Sequence, residues 1–344
     1  MAEGNRRLAV RVAAYGGGGL GALAALGAAA FGLVIGETKL ARRRIPVAEA
    51  APPVSHDTTW AAAGVSRGRP PIRLGMLGDS SAAGYGVYRE RDTLAAQLAI
   101  GISTIARRPV HITNVAVVGA QSEHLAAQID ELGAVHPDVA VIMVGANDVT
   151  HRVSTAAAVP HLADAVARLR ARGAEVVVGT CPDLGTIRPL AQPLRRLARY
   201  LSWRMAKEQT IAVVAAGGRT VSLGDLLGPL FATQREFFSD DQFHPSATGY
   251  AAAAEALLPS VLDALGVGTR ARSASAFTTR RPKPVAKAAA QAAARPGSEV
   301  VASDRAGATG RRHGVWAQLR RRRTAAPVTD SPETARPVTE AAVE

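Results

Sequence analysis

Between Ile72 and Leu265, short apolar runs alternate with stretches of helical periodicity, and this restricts the chain to few architectures. The apolar runs cover residues 72–77, 111–118, 139–144, 176–179 and 220–223. Residues 139–144 are uninterruptedly apolar, which marks a strand covered on both faces. Between the runs, Leu94, Leu98, Ile102 and Ile105 recur at helical spacing within 92–106, with Asp92 placed to cap that helix. Further helices are expected over 122–132 with Ser122 as cap, over 156–172 up to Gly173, over 190–215, and from Pro245 to about Leu265. Strands alternating with helices imply a parallel sheet, right-handed crossovers and helices on both faces. The basic face of the 190–215 helix (Arg195, Arg196, Arg199) reads as solvated.

The first strand ends in Gly78-Asp79-Ser80, followed by the small residues Ser81, Ala82, Ala83 and Gly84. A serine there sits at the carboxyl end of a strand, where open α/β sheets place their sites. The same tripeptide is also an ordinary turn composition. The chain supplies three candidate companions. Asp241 and His244, three residues apart before the last helix, can pair carboxylate with one ring nitrogen and leave the other for Ser80. Such pairs also serve merely as caps. Asn147, after the third strand, offers a side-chain amide to a developing oxyanion, or is a turn asparagine. Gly119, after the second strand, lets a backbone N–H approach a ligand, or is a loop glycine. Asp240 and Ser81 compete for the acid and nucleophile roles, and spacing favours Asp241 and Ser80. Cys181, the single cysteine, has no basic neighbour, reads as buried, and makes an intramolecular disulfide impossible. No cluster has metal-ligand spacing; His111, His124, His136, His151 and His161 are scattered.

The net charge of +13 belongs to the ends of the chain. From Pro70 to Gly266 there are 17 basic and 18 acidic residues; the flanks hold 24 and 10. The folded part therefore gives no electrostatic case for nucleic acid. Residues 1–44 hold an uncharged stretch, 12–36, bracketed by arginines. Its 25 residues suffice to span a bilayer, as an uncleaved anchor or a signal cleaved after Ala28-Ala29-Ala30, with a non-membrane segment as the third reading. Gly16, Gly18 and Gly21 match a dinucleotide fingerprint but follow no strand. Residues 45–71 read as a linker, and 267–344, rich in Ala, Arg and Pro, as a disordered tail.

Together, Gly78-Asp79-Ser80, Gly119, Gly145-Ala146-Asn147-Asp148 and Asp241-Gln242-Phe243-His244 resemble the four blocks of the SGNH (GDSL) hydrolase family over residues 72–265, nearest to exported actinobacterial members. The resemblance implies a three-layer α/β/α flavodoxin-like fold with a five-stranded parallel sheet over 72–266. It also implies ester hydrolysis without metal or cofactor. The triad would be Ser80, Asp241 and His244, and the oxyanion hole the Ser80 and Gly119 amides with the Asn147 side chain. A serine esterase acting on short-chain or lipid acyl esters is the expected activity, by a monomer that is membrane-anchored through 12–36 or exported. A carbohydrate O-deacetylase, a thioesterase and an idle acyl- or glycan-binding module are the alternatives. The acyl pocket is expected to take its walls from loops 84–91 and 150–159.

Overall fold

A computed structural model describes residues 51–53, 57–267, 277–294, 297–303 and 316–322. The elements run β1 (Asp57–Trp60), β2 (Ile72–Gly78), α1 (Ser80–Ala83), α2 (Leu94–Ala106), β3 (Val110–Asn114), α3 (Leu125–Glu131), β4 (Val139–Met143), α4 (Ala146–Thr150), α5 (Thr155–Ala171), β5 (Glu175–Gly179), α6 (Leu194–Ala215), β6 (Arg219–Val221), α7 (Leu223–Thr233) and α8 (Ala247–Ala264). Beyond these lie β7 (Phe277–Thr279), β8 (Lys283–Pro284), α9 (Val285–Ala294), β9 (Glu299–Ala302) and β10 (Trp316–Arg322).

The strands β3-β2-β4-β5-β6 are neighbours in that order and parallel. This is the flavodoxin-like order, in which the chain turns to one side of β2 for β3 and to the other for β4. The carboxyl ends of β2, β3 and β4 therefore converge on the crevice where the order reverses. Register follows from side-chain alternation. Leu74 pairs Val139 and Met76 pairs Val141, and these four face α2 and α8, whose Leu94, Leu98, Ile102, Tyr250 and Leu257 complete that layer. Leu77, Ala140, Ile142, Val176 and Val178 face the other way, onto Leu125, Ile129, Leu162, Val166 and Val213 of α3, α5 and α6. The two apolar layers give the expected three-layer α/β/α fold.

Several local expectations differ from the structure. Thr93, not Asp92, caps α2: its Oγ1 accepts from the Ala96 amide at 3.2 Å, while the Asp92 carboxylate holds Arg89 at 2.7 Å. Ser122 does not cap a helix; its hydroxyl donates to the buried Asp148 at 2.9 Å. The last helix begins at Ala247, capped by Ser246, so Pro245 lies before it. Helix α7 was not read from the sequence.

The larger differences are at the sheet edges. Within the expected linker, β1 pairs antiparallel with β3, Asp57 opposite Thr113. The expected disordered tail supplies β9, which pairs antiparallel with β6, and β10, which pairs with β9, β7 and β8. Among the described residues the sheet is thus ten-stranded and mixed, with the five parallel strands at its centre. A tail poor in large apolar residues can order here because little apolar surface is needed. The Ala288 and Ala292 faces of α9 pack closely on Val214 of α6, with Val285, Val300 and Leu319. Backbone pairing to β6 covers an edge that would otherwise be open. An ion cluster adds to this: Arg219 and Arg320 both hold Asp263, Arg320 at 2.9 Å, and both approach the fully buried Glu299. Burial raises the Glu299 carboxyl pKa, and Arg320 and Arg219 oppose that shift.

The stretch 12–36 lies outside the described residues. Among the described residues no helix is long and apolar enough to cross a membrane.

If α9 and the strands β7 to β10 are an integral part of the folded unit, Leu319→Ala removes a side chain that is 2% exposed and costs about 2–5 kcal/mol in urea unfolding. An unchanged transition would show that these strands do not unfold with the central sheet.

Candidate functional site

Ser80 opens α1 directly after β2, with Asp79 as N-cap accepting from the Ser81 amide at 3.0 Å. At this turn the backbone is forced. Gly78 has φ +126, and a Cβ there would stand 1.8 Å from the Met143 carbonyl oxygen of β4, so only glycine fits. The buried Gln128 carboxamide clamps the same residue, accepting from the Gly78 amide at 2.7 Å and donating to its carbonyl at 2.8 Å. Ser80 is thus held from the strand, the turn and the α3 side at once.

The Ser80 hydroxyl lies 2.9 Å from Nε2 of His244. Nδ1 of His244 lies 2.5 Å from Oδ2 of Asp241. The other carboxylate oxygen, Oδ1, accepts from the Ser239 hydroxyl at 2.7 Å and from the Phe243 and His244 amides at 2.8 Å each. Burial would raise the Asp241 pKa, but these donors, the His244 ring first, hold it well below the usual carboxylate range. Asp241 is 4% exposed while Asp240 is exposed to solvent and carries none of these bonds, so the structure selects Asp241 as the partner. The Tyr85 and Phe243 rings meet the imidazole edge-on at 4.5 and 4.9 Å and confine its tilt. Serine, imidazole and anionic carboxylate in series are an arrangement that can pass a proton from hydroxyl to ring and stabilise the resulting imidazolium.

Asn147 stands at the carboxyl edge of β4 within α4 and borders the same cleft as Ser80. Its Nδ2 donates to the Ala120 carbonyl at 3.1 Å; a carboxamide nitrogen has a second proton to offer. Gly119 is exposed, with φ +83, and a Cβ there would meet nothing within 4 Å. Its requirement is therefore the left-handed backbone rather than crowding. The Gly119 loop is tied down by Asp148, which accepts from the Ser122 amide at 3.2 Å and its hydroxyl at 2.9 Å. The structure thus brings together the predicted serine, acid, histidine and asparagine, with Gly119 on a loop bonded to Asn147. Gln128 and Asp148 were missed as site supports. Gln128 is a polar residue among helical apolar neighbours, Asp148 closes the third motif without an assigned role, and the sequence alone offers no partner for either.

A cleft of about 930 Å³, solvent included, opens beside Ser80 and His244. Its far walls are Leu184, Ile187, Leu223, Leu227, Phe231 and Phe238. They come from the 180–187 loop, α7 and the 238–245 turn, not from the expected loops 84–91 and 150–159. Helix α7 contributes the longest apolar wall. Among the described residues, no three His, Cys, Asp or Glu side chains are grouped to hold a metal ion. Cys181 is buried, as expected.

Comparison with known proteins gives consistent matches. The model of the GDSL-like Lipase/Acylhydrolase family matches residues 76–252. The chain is 43% identical over 256 residues to the GDSL-like esterase Rv1075c of Mycobacterium tuberculosis, over 71% of this chain and 82% of that protein. Among solved structures, TesA matches with TM-score 0.46 and 22% identity, over 56% of this chain and 99% of that one. Axe2, an acetylxylan esterase from Geobacillus stearothermophilus, matches with TM-score 0.43 and 18% identity, over 59% and 97%.

Asp79, 3% exposed, gives a pH-dependent prediction. Burial raises its pKa from 3.8 to about 6. The folded state therefore keeps a proton that the unfolded chain has released. Its favourable contribution is complete below the unfolded value and is lost as pH rises through about 6. Asp79→Asn should stabilise the fold by about 1–3 kcal/mol at pH 8, with the gain fading as pH falls towards 4. Chemical denaturation across that range checks it; an equal effect at both ends would refute the linkage.

Proposed function

The chain belongs to the GDSL-like lipase/acylhydrolase family and is a carboxylic ester hydrolase, and from that premise we propose a serine mechanism centred on Ser80, His244 and Asp241. The observation that carries the proposal is the unbroken hydrogen-bonded series from the Ser80 hydroxyl to the buried Asp241 carboxylate at the mouth of an apolar cleft. The Ser80 oxygen attacks the ester carbonyl as His244 takes its proton at Nε2. Asp241 holds the Nδ1 tautomer and stabilises the charged ring. The oxyanion of the tetrahedral adduct is met by the Ser80 amide, the Gly119 amide and the Asn147 carboxamide. The adduct collapses by breaking the C–O bond, and His244 returns its proton to the leaving alcohol. Water, deprotonated by the same ring, then attacks the acyl-serine, and Ser80 is released with its proton.

The apolar walls between Leu184 and Phe238 support acyl esters, with the hydrocarbon chain in the cleft and the alcohol towards solvent. The uncharged stretch 12–36 supports a domain tethered to a membrane or exported.

Ser80→Ala should abolish hydrolysis of p-nitrophenyl esters while the protein melts normally. Retained wild-type turnover would end the proposal. Asp241→Asn should lower kcat by roughly 10³–10⁴ with a smaller change in KM, and Asn147→Ala by roughly 10²–10³, each measured on the preferred ester. In an acetate-to-palmitate series, Leu227→Trp should shift the preferred acyl chain to shorter esters. An unmoved profile would place the acyl group elsewhere.

A further inference from the structure

From Leu184 to Lys207 the sequence holds six basic residues (Arg188, Arg195, Arg196, Arg199, Arg204 and Lys207) and no Asp or Glu, within a domain of nearly balanced charge. The same segment exposes Leu197, Tyr200 and Trp203, at 39%, 60% and 44%. These are three of the seven large apolar side chains exposed among the described residues, so the apolar surface is concentrated on the first half of α6. Helical geometry sorts them. Arg196, Tyr200, Trp203 and Lys207 fall within roughly 60° of arc, with Arg204 and Leu197 together beyond one edge of it. The opposite side, with Ala198, Ser202, Met205, Ala206 and Gln209, is buried.

The basic residues divide by role. Arg195 donates to the Leu190 and Arg188 carbonyls, and Arg199 pairs with Asp183 at 3.0 Å, so these two fasten the helix to the loop before it. Arg199 also lies 6.0 Å from the Trp203 ring centroid, Lys207 pairs with Glu208 at 3.5 Å, and Arg196 and Arg204 are exposed with no ion-pair partner among the described residues. We propose that this face of α6 docks on an anionic lipid surface. Tyr200, Trp203 and Leu197 would enter the headgroup boundary, and Arg196 and Arg204 would meet anionic headgroups. An amphipathic helix with basic and aromatic residues side by side is suited to an interface that is wet on one side and apolar on the other. The chain also carries the uncharged stretch 12–36, long enough to span a bilayer, and 20 residues between Gly36 and Asp57. Fully extended, these reach roughly 70 Å, enough for α6 to lie on the same surface. The opposite, buried side of the same helix adjoins a wall of the cleft. The Leu184 amide donates to the Ser202 hydroxyl at 3.3 Å, and Asp183, another cleft residue, is the partner of Arg199. The docking surface does not depend on the serine mechanism.

The test uses the full chain reconstituted into vesicles of brominated phosphatidylcholine, alone or mixed with phosphatidylglycerol. Tryptophan quenching is compared between wild type and Trp203→Phe, so that Trp60 and Trp316 cancel. The expected result is bromine quenching of the Trp203 contribution in the anionic vesicles. It should be lost in Arg196→Glu/Arg204→Glu, a variant whose melting is unchanged, and weakened by added salt. No quenching of Trp203 in either vesicle would overturn the proposal and leave the face to solvent or a protein partner. Quenching indifferent to lipid charge and to the arginine reversals would overturn it as well, because proximity from the tether alone would then account for it.

Discussion

Both oxygens of Asp241 are engaged, and the site depends on that one carboxylate. Oδ1 closes the 239–244 turn by accepting from Ser239, Phe243 and His244, while Oδ2 takes the imidazole at 2.5 Å. The donors that keep Asp241 ionised also shape the backbone presenting His244. Local fold and electrostatics therefore cannot be separated here. At the other end of the hydrogen-bonded series, the Gly78–Gln128 clamp holds the turn that leads into Ser80. His244 and Ser80 are 164 residues apart in sequence and meet because the sheet order reverses beside β2.

Much of this was legible in the sequence because parallel strands covered on both faces write themselves as continuous apolar runs. The strands at 72–77, 139–144 and 176–179 were located within one or two residues for that reason. Ser80, Asp241, His244 and Asn147 were legible because each sits at a strand end or in a short turn, where spacing along the chain limits position in space. The supports were not. Gln128 and Asp148 act across 50 and 26 residues, and nothing local tells a clamping glutamine from a solvated one. The cap of α2 is Thr93, while Asp92 pairs with Arg89, another interaction that periodicity does not record.

The ordered part of the tail marks a limit of composition arguments. Few large apolar residues read as too little to bury, yet an Ala-faced helix needs only a close-fitting partner, and β6 supplied an open edge with Arg219 beside it. The cleft walls show the same limit. Helix α7 gives the long apolar side, and its sequence contains Gly224, Gly228 and Pro229, residues that punctuate a chain as a loop does. Charge was more informative when located than when summed, since the excess lies at the chain ends and the domain's own basic residues concentrate in 184–207.

The most direct test of the hydrolytic centre is to treat the full chain with a fluorophosphonate and map the adduct by mass spectrometry. The account predicts a single adduct on Ser80, formed rapidly in wild type and absent in a folded His244→Ala variant. An adduct on another residue, or ester turnover by a protein that Ser80 labelling does not inhibit, would contradict it.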